Sequence, residues 1–172
     1  AKFLPENPVI MEAGAFEGRD TQKLAQRFPN GRIFAFEPLT NHFSRLETVM
    51  KPYPNVSVHN AALDMISGKG DFYVCHGTNA QYPVYEFHSS LLRPTGSQTV
   101  HLLGPVETVT RISLKDFCRD TNIEKVDMLW LSTEGSERQI LEGAQDLLSS
   151  VTLVYARTNL YPERESITLF SD

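Results

Sequence analysis

The sequence predicts an α/β domain with a mostly parallel central sheet flanked by helices. Short apolar runs alternate along the chain with segments of helical periodicity, and this alternation is typical of strands joined by crossover helices. The apolar runs are continuous, as in parallel strands that are buried on both faces. The 172 residues, 41% of them hydrophobic, can fill one core, so we expect a single domain over residues 1–172 with a sheet of about five to seven strands.

The first predicted unit is a strand, a glycine loop and a helix. The run from Val9 to Ala13 is apolar except for Glu12, and Gly14 and Gly18 follow it. Glycine lets the backbone turn tightly and approach a ligand closely. The next segment, Asp20 to Phe28, has apolar residues at helical spacing, so its N-terminal amides would point at that ligand. This order indicates a cofactor site of the nucleotide type; an ordinary strand-to-helix turn is the alternative.

The spacing of this loop argues against a pyrophosphate ligand. A dinucleotide fingerprint has the pattern Gly-x-Gly-x-x-Gly, whereas Phe16 stands where the middle glycine would let the backbone meet the phosphates. Glu12, one turn before the helix, suits a cationic or amino-bearing ligand better than a polyphosphate. A nucleotide-binding oxidoreductase is therefore the weaker alternative.

A second strand is predicted from Arg32 to Phe36, and Glu37 and Pro38 end it. Ligands of doubly wound sheets bind at the carboxyl ends of the strands. A carboxylate in that position can accept both hydrogen bonds from a ribose diol. We therefore interpret Glu37 as a ribose ligand, with a solvated loop acid as the alternative.

Three more segments extend this pattern. Val56 to Asp64 is predicted as a third strand, whose end would place Asn60 and Ala61 against a flat adenine ring. Asp71 to Cys75 is predicted as a further strand, reached through a turn at Ser67 to Gly70. The helix before the third strand has an apolar face that we assign to the core: Phe43, Leu46, Val49 and Met50.

The region from His76 to Glu107 is rich in Gly, Pro, Ser and aromatic residues, and we expect it to form the substrate side. Its candidate acceptor-binding residues are His88, Ser89 and Ser90, near the aromatic residues Tyr82, Tyr85 and Phe87. A decorated hairpin whose aromatic side chains cover the sheet edge is the alternative.

The last third of the chain predicts a helix, a strand, a second helix and a strand. Ser113 to Asp116 resembles a capping box with a shorter acid and would open the first of these helices. The strands are predicted at Val126 to Leu131 and at Val151 to Tyr155. The helix between them has an apolar face that consists of Ile140, Leu141, Ala144, Leu147 and Leu148.

In order and spacing these segments resemble the FkbM-type methyltransferases over nearly the whole chain. The resemblance rests on Glu12-x-Gly14-x-x-x-Gly18-x-x-Thr21, Phe36-Glu37-Pro38, Asn60-Ala61-Ala62-Leu63, Ser89-Ser90-Leu91, and Leu129-Trp130-Leu131-Ser132-Thr133-Glu134-Gly135-Ser136-Glu137 through Leu141-Glu142-Gly143-Ala144. It implies a Rossmann-like class I methyltransferase fold, S-adenosyl-L-methionine as the methyl donor, and methylation of hydroxyl oxygens on sugars or natural products.

The resemblance also implies positions for the parts of that cofactor. The loop of Gly14, Ala15, Phe16, Glu17 and Gly18, preceded by Glu12, would contact the methionine part. Thr21 would bind the methionine carboxylate and Glu37 the ribose, while Asn60 and Ala61 would lie near the adenine.

One position departs from the family pattern. The family usually has aspartate where Ser132 stands, at the end of the fourth strand and pointing into the cleft. Serine cannot be a charged base or metal ligand at neutral pH, but an acceptor held in line with the methyl group can still react through proximity. Ser132 and Glu134 are the candidate catalytic residues, Glu134 either as a general base or as a first-turn acid that stabilises a helix. Ser132 also favours the alternative of a non-catalytic cofactor-binding or interaction module derived from this fold.

The amino-acid composition narrows the classes of partner that this chain is expected to bind. Sixteen basic and 21 acidic residues give a formal charge of −5, and without a Lys/Arg run we expect neither nucleic acid nor a membrane surface as a partner. The acceptor is expected to be a small molecule or a glycan. Cys75 and Cys118 are predicted to be core thiols, and no metal site is predicted. No leader and no apolar run of about 18 residues is visible, so a cytoplasmic location is expected.

The sequence after the fifth strand of the sheet is short for this fold. Class I methyltransferase sheets normally end with one more helix and an antiparallel strand pair, and Arg157 to Asp172 are too few for both. The strand edge left in this way would be exposed. We therefore expect a shortened form or a fragment of a longer protein, with a natural minimal version of the fold as the alternative.

Overall fold

A computed structural model describes residues 3–75, 86–95, 104–159, 164–167 and 169. In chain order its strands are β1 (Val9–Ala13), β2 (Arg32–Phe36), β3 (Val56–His59), β4 (Ala62–Asp64), β5 (Gly68–Tyr73), β6 (Val106–Ser113), β7 (Met128–Leu131) and β8 (Leu153–Ala156). Its helices are α1 (Arg19–Arg27), α2 (Thr40–Met50), α3 (Leu114–Asp120) and α4 (Glu137–Ala144), with short 3₁₀ helices at Glu86–His88 and Gln145–Ser150.

The central sheet has five strands in the order β3-β2-β1-β7-β8, and every neighbouring pair is parallel. The reversal of strand order lies between β1 and β7, since the chain winds outward from β1 in both directions. The carboxyl ends of these two strands therefore leave the crevice in which doubly wound sheets bind ligands. The predicted α/β class with a mostly parallel, helix-flanked sheet is confirmed.

The strands of the central sheet are buried on both faces. Successive residues of a strand point to opposite faces, and each set packs against helices. Ile10 packs with Leu24 and Phe28 of α1, whereas its neighbour Met11 belongs to the cluster around Phe117 on the other side. Helices α1 and α2 thus cover one face of the sheet and α3 and α4 the other. This double cover explains why the strands read as continuous apolar runs.

A second, three-stranded sheet has the order β4-β6-β5. The prediction of a single strand over Val56 to Asp64 is wrong, because the chain changes sheets at Asn60 and Ala61: β3 pairs with β2, and β4 pairs with β6. The turn predicted at Ser67 to Gly70 is also wrong, since Gly68 and Gly70 lie inside β5 and pair with β6. Tyr82 and Tyr85 lie outside the described residues.

The predicted cap of α3 is confirmed in a modified form. The Ser113 hydroxyl accepts a hydrogen bond from the Asp116 amide at 3.1 Å, as an N-cap does. The Asp116 carboxylate accepts a hydrogen bond from the Ser67 hydroxyl, and this hydroxyl in turn accepts one from the Ser113 amide at 3.1 Å. Ser67 thus completes the box that aspartate is too short to close.

Two other predictions concern the core. Cys75 and Cys118 are buried free thiols, as predicted. On α2, however, the prediction is wrong for Val49, which is 39% exposed. The buried face of this helix contains His42 instead, together with Leu46 and Met50. None of the described helices is long and apolar enough to cross a membrane.

Candidate cofactor and acceptor site

A cleft opens where β1, β2 and β7 end. Its empty volume is about 500 Å³ when the solvent at its mouth is counted. It is lined by Gly14, Phe16, Glu37, Pro38, Leu39, Ala62, Leu63, Phe72, Glu86, Phe87, Ser89, Leu91, Ser132, Thr133 and Ser136. The lining is apolar with a few carboxyl and hydroxyl groups, which is the composition of a site for a partly polar organic ligand.

The loop after β1 is held by the end of β2. The amides of Gly14 and Ala15 both donate to the Phe36 carbonyl, at 3.1 and 3.0 Å. Phe16 follows with a φ of +50°, a conformation that non-glycine residues rarely adopt. Its amide donates to Glu37 at 2.9 Å. The predicted loop is therefore present, and its backbone is held by the residue interpreted as a ribose ligand.

The two glycines of the loop serve packing within the protein. A side chain on Gly14 would place its Cβ 2.1 Å from the Ser132 carbonyl oxygen, and a Cβ on Gly18 would lie 2.8 Å from Leu46. Both residues also have positive φ angles, of +80° and +88°. The approach of the end of β7 by itself requires glycine at position 14. Gly14 also lines the cleft, so the predicted close approach of its backbone to a ligand stays a prediction.

Glu37 combines burial with satisfied hydrogen bonds. Its side chain accepts the Phe16 amide on Oε2 and the Leu39 amide on Oε1, both at 2.9 Å. Burial raises the pKa of Glu37 to about 7, and the two amides oppose the rise. Each carboxylate oxygen has a second lone pair, so the group can accept two more hydrogen bonds from a ligand in the cleft. The alternative of a solvated loop acid is wrong, since Glu37 is 5% exposed.

Glu12 and Thr21 lie deeper, between β1 and α1. Both are buried, and neither Glu12 Oε2 nor the Thr21 hydroxyl has an aligned hydrogen-bond partner among the described residues. Burial raises the pKa of Glu12 to about 7, with the Thr21 hydroxyl opposing the rise and Asp20 adding to it. Neither side chain lines the cleft, so their predicted contacts with the methionine part remain predictions.

Asn60 holds the backbone after β2. Its side-chain amide donates to the Glu37 and Pro38 carbonyls at 3.0 and 2.9 Å. The cleft wall in this part of the chain is formed by Ala62 and Leu63, the residues just after the predicted pair. The adenine contact assigned to Asn60 and Ala61 remains a prediction.

Sequence reasoning missed a cluster around His42. The His42 ring lies 4.1 Å from the Phe16 ring, centroid to centroid. Its Nε2 lies 2.6 Å from Glu86 Oε2, a close contact without the alignment of a hydrogen bond, and its Nδ1 lies 3.7 Å from Glu17 Oε1. Glu17 also pairs with Arg45. The cluster joins the glycine loop, α2 and the segment that begins at Glu86.

At the end of β7 the candidate catalytic residues form a polar network. The Ser132 hydroxyl accepts a hydrogen bond from Arg157 at 3.2 Å, and the same Arg157 nitrogen lies 3.2 Å from Glu134 Oε1. Glu134 Oε2 lies 2.9 Å from His88 Nδ1. Arg157, which the sequence did not single out, thus joins Ser132 to Glu134, and Glu134 contacts His88 directly.

Glu134 does not cap a helix. The helix begins at Glu137, and Glu134 precedes it with a φ of +56°. The first-turn acid is Glu137, which accepts the amide and hydroxyl of Thr133 at 2.9 and 3.0 Å. The alternative role proposed for Glu134 is therefore wrong.

Ser89 and Ser90 use their hydroxyls to hold the chain. Ser89 accepts the Cys75 amide at 3.0 Å, and Ser90 donates to the Thr133 carbonyl at 3.2 Å. The segment is also held by buried Arg164, which donates to the carbonyls of His88 and Leu92. Ser89 lines the cleft, where it could contact an acceptor, and Ser90 does not. Acceptor binding by either serine remains a prediction.

The fold and the cleft together define a Rossmann-like α/β domain with a ligand site at the carboxyl ends of its parallel strands. The family model described as "Methyltransferase FkbM domain" matches residues 12–168. The chain belongs to this family, as its motifs predicted.

Two curated proteins are similar to the chain. One is "2-O-methyltransferase NoeI" of Sinorhizobium fredii (strain NBRC 101917 / NGR234), 26% identical over 153 residues that cover 87% of this chain and 62% of that protein. The other is "Methyltransferase 1" of Beauveria bassiana (strain ARSEF 2860), 26% identical over 159 residues that cover 83% of this chain and 60% of that protein. The chain thus spans about three fifths of the length of these relatives.

Proposed function

We propose that this chain is the cofactor-binding and catalytic part of an S-adenosyl-L-methionine-dependent methyltransferase that methylates a hydroxyl oxygen of a small molecule or a glycan. The observation that carries the proposal is the buried Glu37 carboxylate at the end of β2, which lines the cleft beside the glycine loop. Family membership and the names of both relatives support methyl transfer. The name of the NoeI relative supports oxygen as the accepting atom.

The residues of the cleft fit this cofactor. Glu37 keeps two lone pairs for a ribose diol after accepting the Phe16 and Leu39 amides. Apolar side chains beside it, including Leu39, Leu63 and Phe72, suit one face of a purine ring. The glycine loop lies between Glu37 and Ser132, so the methionine part would run toward the end of β7.

When bound, the cofactor supplies an electrophilic methyl group on a sulfonium. The chain has to orient the acceptor hydroxyl, exclude water and receive a proton. Ser132 and Thr133 line the part of the cleft beyond Gly14, where an acceptor would meet the methyl group. Holding two reactants in line is a large part of the acceleration available to such a transfer.

Calorimetric titration with S-adenosylhomocysteine and, separately, with NAD tests the cofactor assignment. We expect binding of the first ligand only, and a loss in the Glu37→Ala variant that the matched Glu142→Ala variant does not show, because Glu142 is an exposed residue on α4 paired with Arg138. Binding of NAD instead would favour the oxidoreductase alternative. Unchanged affinity in a folded Glu37→Ala protein would contradict the proposal.

Transfer of labelled methyl from S-adenosyl-L-methionine to methyl glycosides of hexoses and deoxyhexoses, and to small phenols and alcohols, tests the reaction. Product formation with at least one acceptor is expected. Cofactor binding without transfer to any acceptor, with and without magnesium, would favour the non-catalytic module instead. The acceptor class is a proposal that follows from the sequence and the family, and the cytoplasmic location is a proposal from the sequence alone.

A further inference from the structure

A histidine and a carboxylate from distant parts of the chain meet at the end of β7, next to the cleft but outside its lining. His88 Nδ1 lies 2.9 Å from Glu134 Oε2, across 46 residues of sequence. Their side chains are 32% and 12% exposed, so the carboxylate is largely covered while the imidazole reaches solvent. Neighbours of both residues, Ser89 and Thr133, line the cleft.

Glu134 is built to stay charged. Burial would raise its pKa, but the hydrogen bond and charge of His88 and the charges of Arg157 and Arg164 outweigh burial and lower it below the usual value. A base is most effective when its pKa is near the working pH, so a carboxylate held ionised in this way is a poor proton acceptor. It is well suited to orient a neighbouring imidazole and to stabilise the imidazolium.

The backbone on both sides is fixed. The His88 carbonyl accepts hydrogen bonds from buried Arg164 and from the Cys75 thiol. Glu134 has a φ of +56°, and such strained conformations in non-glycine residues cluster at functional sites. A Cβ on the next residue, Gly135, would lie 2.5 Å from the Ile167 side chain, so this turn is packed too closely for a side chain at position 135. Rigid support of this kind is what a catalytic pair requires.

The hydrogen bond sets the chemistry of the ring. An ionised carboxylate on Nδ1 makes that nitrogen the proton-bearing one, which leaves the basic lone pair on Nε2. The charged and titratable groups around Glu134 are His88, Arg157, Arg164, Cys75 and Glu137. Of these, His88 is the group in direct hydrogen-bond contact with the Glu134 carboxylate.

We propose that His88 is the general base of the transfer and that Glu134 is its positioning residue. This inference rests on the proposed function. Nε2 of His88 accepts the proton of the acceptor hydroxyl while an electron pair of that oxygen forms the new bond to the methyl carbon. The bond from the methyl carbon to sulfur breaks, its electron pair stays on sulfur, and the sulfonium becomes a thioether. The resulting imidazolium is paired with the Glu134 carboxylate and passes its proton to water.

The test compares His88→Gln, Glu134→Gln and the matched control Glu142→Gln with the parent protein, on the glycoside or alcohol that the parent methylates best. The readouts are kcat between about pH 5.5 and 9, the affinity for S-adenosylhomocysteine, and the melting temperature. His88→Ala with added imidazole is a second route to the same question, since free imidazole can replace the missing ring.

We expect His88→Gln to lower kcat at pH 7 by about a hundredfold or more with cofactor affinity within about twofold, and imidazole to restore part of the activity of His88→Ala. The parent kcat should rise with pH to a plateau, and His88→Gln should lose that rise. Glu134→Gln should lower kcat about tenfold or more and move the rise to lower pH, because the imidazolium loses its counterion. Glu142→Gln should match the parent.

Three results would overturn the inference. The first is a folded His88→Gln protein with kcat within about threefold of the parent, since loss of a general base costs more than this. The second is a parent kcat that does not vary with pH in this range. In both cases methyl transfer by the parent is intact, so only the base assignment fails. The third is a parent that binds cofactor and methylates no acceptor, which overturns the proposed function and the inference with it.

Discussion

The affinity for the cofactor should depend on pH through Glu37. The ribose diol donates hydrogen bonds, and the ionised carboxylate is the better acceptor. Because burial raises the pKa of Glu37 to about 7, only about a tenth of the free protein carries the ionised group at pH 6, and nearly all of it does at pH 8 or above. The apparent affinity scales with that fraction, so S-adenosylhomocysteine should bind about tenfold more weakly at pH 6 than at pH 8.

Calorimetry in buffers of different ionisation enthalpy measures both the affinity and the protons exchanged. Binding near pH 7 should release about half a proton per cofactor, since about half of Glu37 is protonated before binding and little of it afterwards. Glu37→Gln should remove this release and should bind about 1.5–3 kcal/mol more weakly, the usual loss for a hydrogen bond to a charged group. Glu37→Gln should also lower the melting temperature, because the NH₂ group of the glutamine would face a backbone N–H donor, either that of Phe16 or that of Leu39.

Glu142→Gln is the comparison variant, because Glu142 is an exposed carboxylate on α4 that pairs with Arg138. This variant should keep the pH dependence of cofactor binding. An affinity constant within about twofold from pH 6 to 8 in the parent protein would refute the reasoning, since a group with a pKa near 7 that contacts the ligand must change its charge in this interval.

Glu12 should also make the fold less stable as the pH rises from about 4.5 to 7, because in this window the unfolded chain has lost the Glu12 proton whereas the folded protein, with its raised pKa of about 7, still holds it. Glu12→Gln should therefore be more stable than the parent at pH 8, by ~3 kcal/mol, and the two should converge near pH 4.5 in urea unfolding. Gly14→Ala should destabilise the protein by more than about 2 kcal/mol, because the new Cβ would lie 2.1 Å from the Ser132 carbonyl oxygen. Gly68→Ala, also at positive φ, should cost less, because no atom lies within 4 Å of its Cβ position. Equal losses of stability in thermal unfolding would contradict this reasoning. Ser132→Asp should pair with Arg157, which already lies 3.2 Å from the serine hydroxyl. Its activity should therefore be the same with and without magnesium, and a gain with the metal would show that the carboxylate binds it.

The first two strands and their acids were predictable because the signals are local. An apolar run that ends in Glu37 and Pro38 contains its own boundary, and the loop from Gly14 to Gly18 follows directly on β1. The break after β3 was not predictable in this way. It depends on the Asn60 amide, which donates to carbonyls 22 and 23 residues earlier, and on β6, a partner about 50 residues further along the chain.

The polar residues of the site likewise include positions that depend on contacts with distant segments. Periodicity on α2 favours Val49 over His42 as a core residue, but His42 is buried because Phe16 and Glu86 pack against it from other segments. Likewise, Arg157 follows β8 and reaches Ser132 and Glu134 only because β8 lies beside β7. A single sequence contains no signal for such contacts between distant segments.

The contact between Gly14 and the Ser132 carbonyl changes what the glycine motif can diagnose. Because the glycine is required by the approach of two neighbouring strand ends, a descendant of this domain that no longer bound any cofactor would still need it in order to fold. A motif search that scores this glycine therefore detects the architecture and passes inactive relatives together with active ones. If His88 is the base proposed above, screens of uncharacterised sequences for working methyltransferases would discriminate better by weighting the histidine that faces the end of β7.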